Sequence, residues 1–326
     1  MDSKKLLKKI KFILCSLIII CFSPLIPKEL AFITNQESNM LDVIDLTIQE
    51  KIKEIELGKK PAAIFIDSDS RKIFVSNPDS NNISVLDLYD DSHFFVEAGN
   101  SPLGISFDSS KNNIFVSNWY DNVISVIDLV TKKKKIEIKV GQSPAGIYFD
   151  KKNKKLYVAN RESNNVSLID TENFEVLKSL NVENSPFGVY SEDYLDYIVV
   201  TNVQSSSVSI IEKKSFKLLK NIKVGKWPYS VVHDKRKNYL YITNQRDDSI
   251  SIINMDQKKN VKTLVDICEY PEGIDISYTQ NLIVVACWFE DNIILINLND
   301  FSVKKKIETS GGPRAFGKFI IEKWNE

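Results

Sequence analysis

The chain contains 326 residues, of which 43% are hydrophobic and 10% aromatic, and its formal net charge is zero. This composition is typical of a folded protein with a sizeable core and excludes an intrinsically disordered chain. Because five lysines fall within the first eleven residues, the rest of the chain is slightly acidic. Nonspecific binding of nucleic acid needs a basic surface that neutralises phosphates, so we expect no nucleic-acid partner.

The N-terminus has the layout of a targeting segment. After the lysines, largely apolar residues run from Phe12 to Ile26, which matches the basic and hydrophobic regions of a secretory signal and is short for a membrane span. Pro24 follows the small residues that would precede a cleavage site and would hinder cleavage there. We therefore predict a signal peptide or N-terminal anchor at residues 1–26, and residues 27–326 folded in the periplasm or secreted. Contact with a membrane is expected only through an uncleaved N-terminus.

Beyond the N-terminus one unit recurs about seven times. Its most regular copy, residues 144–182, contains four short apolar runs with near-alternating polarity, each closed by polar turn residues, which predicts four antiparallel strands. A proline opens the first strand of each unit: Pro61, Pro102, Pro144, Pro186, Pro228, Pro271 and Pro313. The second strand ends at Asn35, Asn77, Asn118, Asn160, Asn202, Asn244 or Cys287. An aspartate or a related polar residue ends the third strand, and we expect the asparagine and aspartate columns to cap the following turns.

Units of about 42 residues with four strands each predict an all-β, seven-bladed β-propeller of four-stranded antiparallel blades. The first unit begins at its second strand, whereas residues 313–321 supply one more innermost strand after the seventh unit. We therefore predict that this C-terminal innermost strand joins three N-terminal strands and closes the ring, which leaves no open sheet edge for aggregation. The closed disc is expected to be a monomer.

Three features of the unit resemble the YVTN family of β-propeller repeats across roughly residues 30–321. They are the asparagine-terminated second strands, the P-x-G-I opening at 102–105 and 144–147, and third strands such as I-S-V-I-D at 124–128. The resemblance implies an exported protein. The wider seven-bladed group that the chain resembles includes lactonases and the noncatalytic β chain of quinohemoprotein amine dehydrogenase, and fold does not carry function across such a group.

Function is best sought where the repeat varies on the face around the channel mouth. There the loops that enter the innermost strand and leave the second strand meet, and large aromatic and charged residues concentrate in blades six, seven and one. The predicted ligand-binding arc consists of Trp227, Tyr229, Arg246, Tyr270, Glu272, Trp288, Phe289 and Arg314. A secondary aromatic group, Trp119 and Tyr120, lies across the ring. Aromatic side chains with arginine and a carboxylate are typical of binding sites. In the alternative interpretation, the rings pack between blades and Glu272 pairs with Arg314 in the channel.

Motifs for chemistry are absent from the sequence. The two histidines, His93 and His233, lack the spacing of metal ligands, and no G-x-S-x-G, H-E-x-x-H or C-x-x-C motif occurs. We therefore predict no catalytic residue, no metal site and no cofactor. Cys268 and Cys287 both fall on the channel-mouth face, where they could form a disulfide or remain as small buried hydrophobes.

The sequence thus predicts an exported, non-catalytic binding or scaffold propeller that recognises a protein, peptide or envelope component through the channel-mouth face. The alternative is a periplasmic enzyme or an accessory subunit of a redox complex that contains a quinoprotein or cytochrome. That alternative depends on the family resemblance alone.

Overall fold

The computed structural model of the protein describes residues 28–90 and 92–324, which form 29 β-strands and three 3-10 helices. The predicted signal peptide or anchor at residues 1–26 lies outside these residues. Among the described residues, no helix has the length and apolar character that a membrane crossing requires.

The strands form seven sheets, the blades of the predicted propeller; four antiparallel strands make up each blade, and a short fifth strand joins the sheet of blade 2. Blade 1 contains β1 (Lys28–Asn35), β2 (Met40–Asp45), β3 (Glu50–Glu56) and the C-terminal β29 (Ile320–Trp324). Blades 2 to 4 contain β4 (Ala63–Asp67), β5 (Lys72–Asn77), β6 (Asn82–Asp87), β7 (His93–Glu97), β8 (Pro102–Asp108), β9 (Asn113–Asn118), β10 (Val123–Asp128), β11 (Lys133–Lys139), β12 (Pro144–Asp150), β13 (Lys155–Asn160), β14 (Asn165–Asp170) and β15 (Glu175–Asn181). Blades 5 to 7 contain β16 (Pro186–Tyr190), β17 (Tyr197–Asn202), β18 (Ser207–Glu212), β19 (Lys217–Lys223), β20 (Pro228–Asp234), β21 (Tyr239–Asn244), β22 (Ser249–Asn254), β23 (Lys259–Leu264), β24 (Pro271–Ser277), β25 (Leu282–Cys287), β26 (Asn292–Asn297) and β27 (Val303–Glu308). The 3-10 helices are Pro78–Ser80, Gln245–Asp247 and Trp288–Glu290. The prediction of a seven-bladed, all-β propeller is confirmed.

The core lies between neighbouring blades. All of β9 is buried, whereas β11 at the rim buries only Ile138. Inner strands are covered by a blade on each face, which explains their near-continuous apolar sequences. Between blades 3 and 4, for example, the rings of Phe115 and Phe149 lie 5.3 Å apart. The Ser117 hydroxyl further joins these blades because it donates to the carbonyl of Ala145 at 2.6 Å.

The ring closes in blade 1, as predicted, but the closing segment is not one continuous strand. Pro313 forms an isolated bridge with Asn35, and only β29 extends the sheet alongside β1. Between them, β28 (Phe316–Gly317) turns aside and pairs in parallel with β4 of blade 2. This detour depends on glycine, because a Cβ at Gly317 would lie 2.1 Å from the Ile64 carbonyl oxygen, and on a left-handed backbone at Ala315. The predicted strand over residues 313–321 is therefore wrong in its bounds.

The two polar columns have different roles. Asp128 caps its turn as predicted, since its Oδ1 accepts hydrogen bonds from the Val130 and Thr131 amides at 2.8 and 2.9 Å. Asn160 instead donates its side-chain amide to Asn165 Oδ1 and Ser167 Oγ, at 2.7 and 2.8 Å. Apart from Asn35, which donates to the carbonyl of Ile33, the asparagine column therefore connects the second strand to the third rather than capping the turn backbone.

Candidate functional site at the channel mouth

The channel mouth is built by the proline and asparagine ends of the first two strands of each blade. These ends lie opposite one another, as in the pairing of Pro144 with Asn160, so that every incoming and outgoing loop reaches the same face. An open cavity of about 1210 Å³ lies there. All eight residues of the predicted arc and both members of the secondary aromatic group line this one cavity.

The residue before each proline adopts a left-handed backbone. At this position blades 3, 4 and 5 have serine, whereas Trp227 and Tyr270 both have a φ of 57°. Their carbonyls accept the backbone amides of Gln245 and Trp288, at 3.0 and 3.2 Å, which fixes the conformation. Large side chains are uncommon in the left-handed region, which costs roughly 1–2 kcal/mol for residues other than glycine. Blades 6 and 7 therefore hold two large rings at a position that normally disfavours them.

An aromatic plug forms the floor of the cavity. The ring of Phe187 lies 4.7 Å from that of Tyr229 and 5.1 Å from that of Phe316. All three side chains are buried against Ala62 and Ala145 at the centre of the ring. The mouth is thus a cup whose floor blocks the channel.

A polar network lies at one side of this floor. Arg314 donates to the Tyr229 hydroxyl from Nε and Nη2, at 2.8 and 2.6 Å, and its Nε lies 3.1 Å from Glu272 Oε2. Gln245 Nε2 donates to the other Glu272 oxygen at 3.0 Å. Burial raises the pKa of Glu272 to about 7, although the positive charge of Arg314 acts in the opposite direction. Burial likewise raises the pKa of Tyr229 well above its usual range.

Two residues of the predicted arc that belong to this network lie deeper than predicted. Tyr229 and Glu272 are only 3% and 4% exposed, so they belong to the floor rather than to an exposed wall. The predicted alternative, an ion pair between Glu272 and Arg314, is present. Arg314 belongs to the same network, whereas the remaining five residues of the arc are more exposed than Tyr229 and Glu272.

The wall above the network is aromatic. In blade 7 the ring of Phe289 lies 4.6 Å from that of Trp288 and 5.2 Å from that of Tyr270; we call these three residues the aromatic wall. Phe289 is 60% exposed, whereas the buried Nε1 of Trp288 has no hydrogen-bond partner among the described residues. In blade 6 the guanidinium carbon of Arg246 lies 3.6 Å from the centre of the Trp227 ring, a close cation–π contact.

The secondary aromatic group faces this wall from blade 3. The ring of Trp119 lies 6.3 Å from that of Phe187 in the floor, and Tyr120 is 67% exposed. The guanidinium carbon of Arg161 lies 5.8 Å from the Trp119 ring. Arg161 thus adds a cation on this side of the cup.

The predicted site omitted several residues of the cup and its floor, and four of them take part in the contacts described above: Arg161, Phe187, Gln245 and Phe316. The first three occupy the same variable columns as the predicted residues, so the columns could have identified them. Phe316 stands three residues after its proline, where other blades have isoleucine or valine. That exception was also available in the sequence.

A disulfide joins Cys268 and Cys287, with their Cα atoms 5.8 Å apart. The bond links the loop before β24 to the end of β25 beside the cup. It therefore connects the two segments that carry the aromatic wall.

Metal ligands are not clustered in the part of the chain that the structure describes: no group of three or more His, Cys, Asp or Glu side chains could hold an ion. His233 lies on the face opposite the mouth, with Nδ1 3.0 Å from the Tyr194 hydroxyl and Nε2 3.0 Å from Asn238 Oδ1. His93 lies in β7 at the rim of blade 2.

Fold and site together define a closed, seven-bladed propeller with an aromatic and arginine-rich cup at one end of its axis. The family model that matches is the YNCE-like beta-propeller, over residues 52–238. The chain belongs to this family, and the predicted resemblance to a propeller-repeat family is confirmed.

Solved structures with the same fold were found across most of the chain, whereas no curated protein matches it. A functionally unknown protein from Desulfotomaculum acetoxidans is 13% identical with a TM-score of 0.76, covering 88% of this chain and 99% of that one. Hydrazine synthase from Kuenenia stuttgartiensis is 20% identical with a TM-score of 0.72, covering 83% and 92%. AztD from Citrobacter koseri is 12% identical with a TM-score of 0.66, covering 90% and 97%. At these identities the similarity shows the fold alone.

Proposed function

We propose that this protein is an exported binding module that recognises a protein, peptide or envelope component through the channel mouth. One observation carries the proposal: the large aromatic side chains and arginines of blades 3, 4, 6, 7 and 1 converge on a single cup. Rigid rings supply contact area at little entropic cost, and arginine binds carboxylates in a bidentate manner.

The dimensions of the cup favour a segment of a larger molecule. Its volume of about 1210 Å³ exceeds the range of roughly 300–1,000 Å³ that is usual for small-molecule pockets. Its mouth is wide, and Phe289 and Tyr120 are exposed at its edge. A peptide or a surface loop that projects into the cup fits this shape.

The strained backbone supports the same proposal. Trp227 and Tyr270 stand where the repeat elsewhere has serine, lysine or glycine, so that turn chemistry alone does not require large rings. Local strain that persists is often found at functional sites. At the opening of the cup these two rings provide contact area for a ligand.

The alternative, an accessory subunit or enzyme of a redox complex, has the fold similarity to hydrazine synthase in its favour. Similarity at this level concerns the fold, and we assign no residue of the cup to redox chemistry. We therefore retain binding as the proposed function.

Capture from the envelope fraction of the source organism tests the proposal. The variant Trp227→Ser/Arg246→Gln replaces each residue by one that another blade has at the same position, Ser185 and Gln204, so the fold is expected to persist. The matched control is Tyr194→Ala, an exposed ring on the opposite face. We expect quantitative mass spectrometry to show a partner retained by wild type and control and depleted about tenfold by the cup variant, as for loss of binding hot spots. Equal capture by all three proteins contradicts the proposal.

Export is tested separately with the N-terminus. Residues 1–30 fused to alkaline phosphatase, which is active only after export, should give active enzyme, and replacement of the five N-terminal lysines by glutamate should reduce this activity. An inactive fusion with normal expression contradicts export but leaves the cup untouched.

A further inference from the structure

In four of the seven blades, the same three residue types support the loop that enters the innermost strand. In blades 2, 3, 4 and 6 a glycine three residues before the proline packs directly on the asparagine that ends the second strand. A Cβ on any of these glycines would lie 2.5–2.7 Å from the asparagine side chain; the pairs are Gly58 and Asn77, Gly99 and Asn118, Gly141 and Asn160, and Gly225 and Asn244. The asparagine amide then donates to a third-strand serine at 2.8–3.0 Å, namely Ser84, Ser125, Ser167 or Ser251. Glycine, asparagine and serine thus form one supporting set.

Blade 7 changes all three members of this set. Cys268 takes the place of the glycine, Cys287 that of the asparagine and Ile294 that of the serine. The two cysteines are bonded, and all three side chains are buried in one apolar cluster. An asparagine at position 287 would face Ile294 in place of the serine acceptor, so in blade 7 the covalent bond stands where the other blades have the contact between asparagine and serine.

The bond lies directly beneath the aromatic wall. Cys268 is two residues before Tyr270, and Cys287 immediately precedes Trp288 and Phe289. Apart from the disulfide, the contacts between these two segments include two backbone-donated hydrogen bonds. The Trp288 amide donates to the Tyr270 carbonyl at 3.2 Å, and the Glu269 amide donates to Glu290 Oε1 at 3.1 Å.

The burial of the cysteines indicates whether the disulfide is a permanent constraint or a bond that is reduced and re-formed in the folded protein. Cys268 is 5% exposed and Cys287 is not exposed at all. A dissolved reductant or thiol reaches such a bond slowly in the folded protein. The position is therefore suited to a permanent constraint.

We propose that the Cys268–Cys287 disulfide is a positioning element of the binding site, which holds the aromatic wall of Tyr270, Trp288 and Phe289 in one arrangement at the channel mouth. The part of this inference that concerns a ligand rests on the proposed function. Rings held before binding lose less conformational entropy when the ligand arrives, so that the bond increases affinity without touching the ligand.

Two variants separate this role from general stabilisation. Cys268→Ser/Cys287→Ser removes the bond and provides no substitute. Cys268→Gly/Cys287→Asn/Ile294→Ser also removes it but rebuilds the noncovalent set of the other blades. Hydrogen exchange is measured by mass spectrometry for residues 265–272 and 287–292, with the matching loops of blade 4, residues 138–145 and 160–165, as the internal reference.

We expect the serine pair to accelerate amide exchange in the two blade 7 segments by about tenfold, as for local opening, with blade 4 unchanged. The triple variant should restore slow exchange, because the rebuilt set of glycine, asparagine and serine supports the loop without the covalent bond. Unchanged exchange in the serine pair overturns the proposal. Acceleration of equal size in the blade 4 loops also overturns it, because the bond would then act only through the stability of the whole ring and not on the aromatic wall. If the serine pair does not fold, the same exchange is measured on Cys268→Ala/Cys287→Ala, which removes the bond and places no hydroxyl in the apolar cluster.

The ligand part is tested with the same envelope extract as the probe. The serine pair should capture about fivefold less of the partner that the cup variant loses, and the triple variant should recover it. Equal capture by wild type and serine pair overturns the positioning role, whereas failure of the cup variant to lose any partner overturns the proposed function and leaves the exchange result valid.

Discussion

Blades 4 and 7 contain the same four strands in the same order, yet they contribute very different side chains to the channel mouth. Blade 4 flanks its proline with Ser143 and Ala145, whereas blade 7 has Tyr270 and Glu272 at these positions. Blade 4 supports its loop through an asparagine amide, and blade 7 does so through a disulfide. The fold depends on strand pairing and turn capping that both blades share, so the mouth can vary without loss of the blade.

The largest expected effect comes from the one blade that is not continuous in sequence. Deletion of residues 313–326 should abolish cooperative folding of the whole ring, because it removes β29, Phe316 of the plug and the buried Phe319 together. Blade 4 should unfold with blade 1, although the two blades are not neighbours in the ring. Thermal unfolding followed by circular dichroism checks this, and a synthetic peptide of residues 313–326 should restore the transition. A truncated protein with the same cooperative melting contradicts the closure.

Loss of the support of the incoming loop should lower the free energy of unfolding more in blade 7 than in blade 4. Removal of a disulfide that spans 19 residues should lower the free energy of unfolding by about 3 kcal/mol. Asn160→Ala loses hydrogen bonds to Asn165 and Ser167 and should lower it by about 1–2 kcal/mol. Urea unfolding of Cys268→Ser/Cys287→Ser and of Asn160→Ala measures both. Equal losses would mean that the covalent support adds nothing beyond the polar one.

The two blades should also differ in their response to pH. The pKa of Glu272 is raised by burial from 4.5 to about 7, so that the folded state binds this proton more tightly than the unfolded state. The resulting stabilisation is complete below pH 4.5 and is lost as the pH rises through 7. Glu272→Gln should therefore reduce the fall in unfolding free energy between pH 5 and pH 7 by roughly 1–3 kcal/mol. Urea titrations at both pH values measure this, and Glu162→Gln, an exposed carboxyl of blade 4, is the control. Parallel pH profiles for wild type and Glu272→Gln contradict the assignment.

The comparison also explains what the sequence could predict. Strictly spaced columns determine blade number, closure and which loops share a face, so all ten predicted residues line one cup. The columns do not predict how deeply each side chain lies within the cup. Tyr229 and Glu272 lie in the floor because side chains from distant blades meet there. Phe316 joins that floor because β28 leaves its expected path, a tertiary effect that strand periodicity does not contain.

The smallest expected effect concerns the left-handed position before the proline. Ser143 has a φ of 50°, and Ser143→Gly should stabilise the protein by about 0.5 kcal/mol, because relief of strain slightly exceeds the entropy that glycine adds to the unfolded chain. Tyr270→Gly relieves the same strain but loses the ring contacts with Trp288 and Phe289. It should therefore give no gain in stability, or a loss, in urea unfolding. If Tyr270→Gly stabilises the protein as much as Ser143→Gly does, the aromatic wall contributes nothing to the fold, and the large ring at this strained position must then be explained by ligand contact alone.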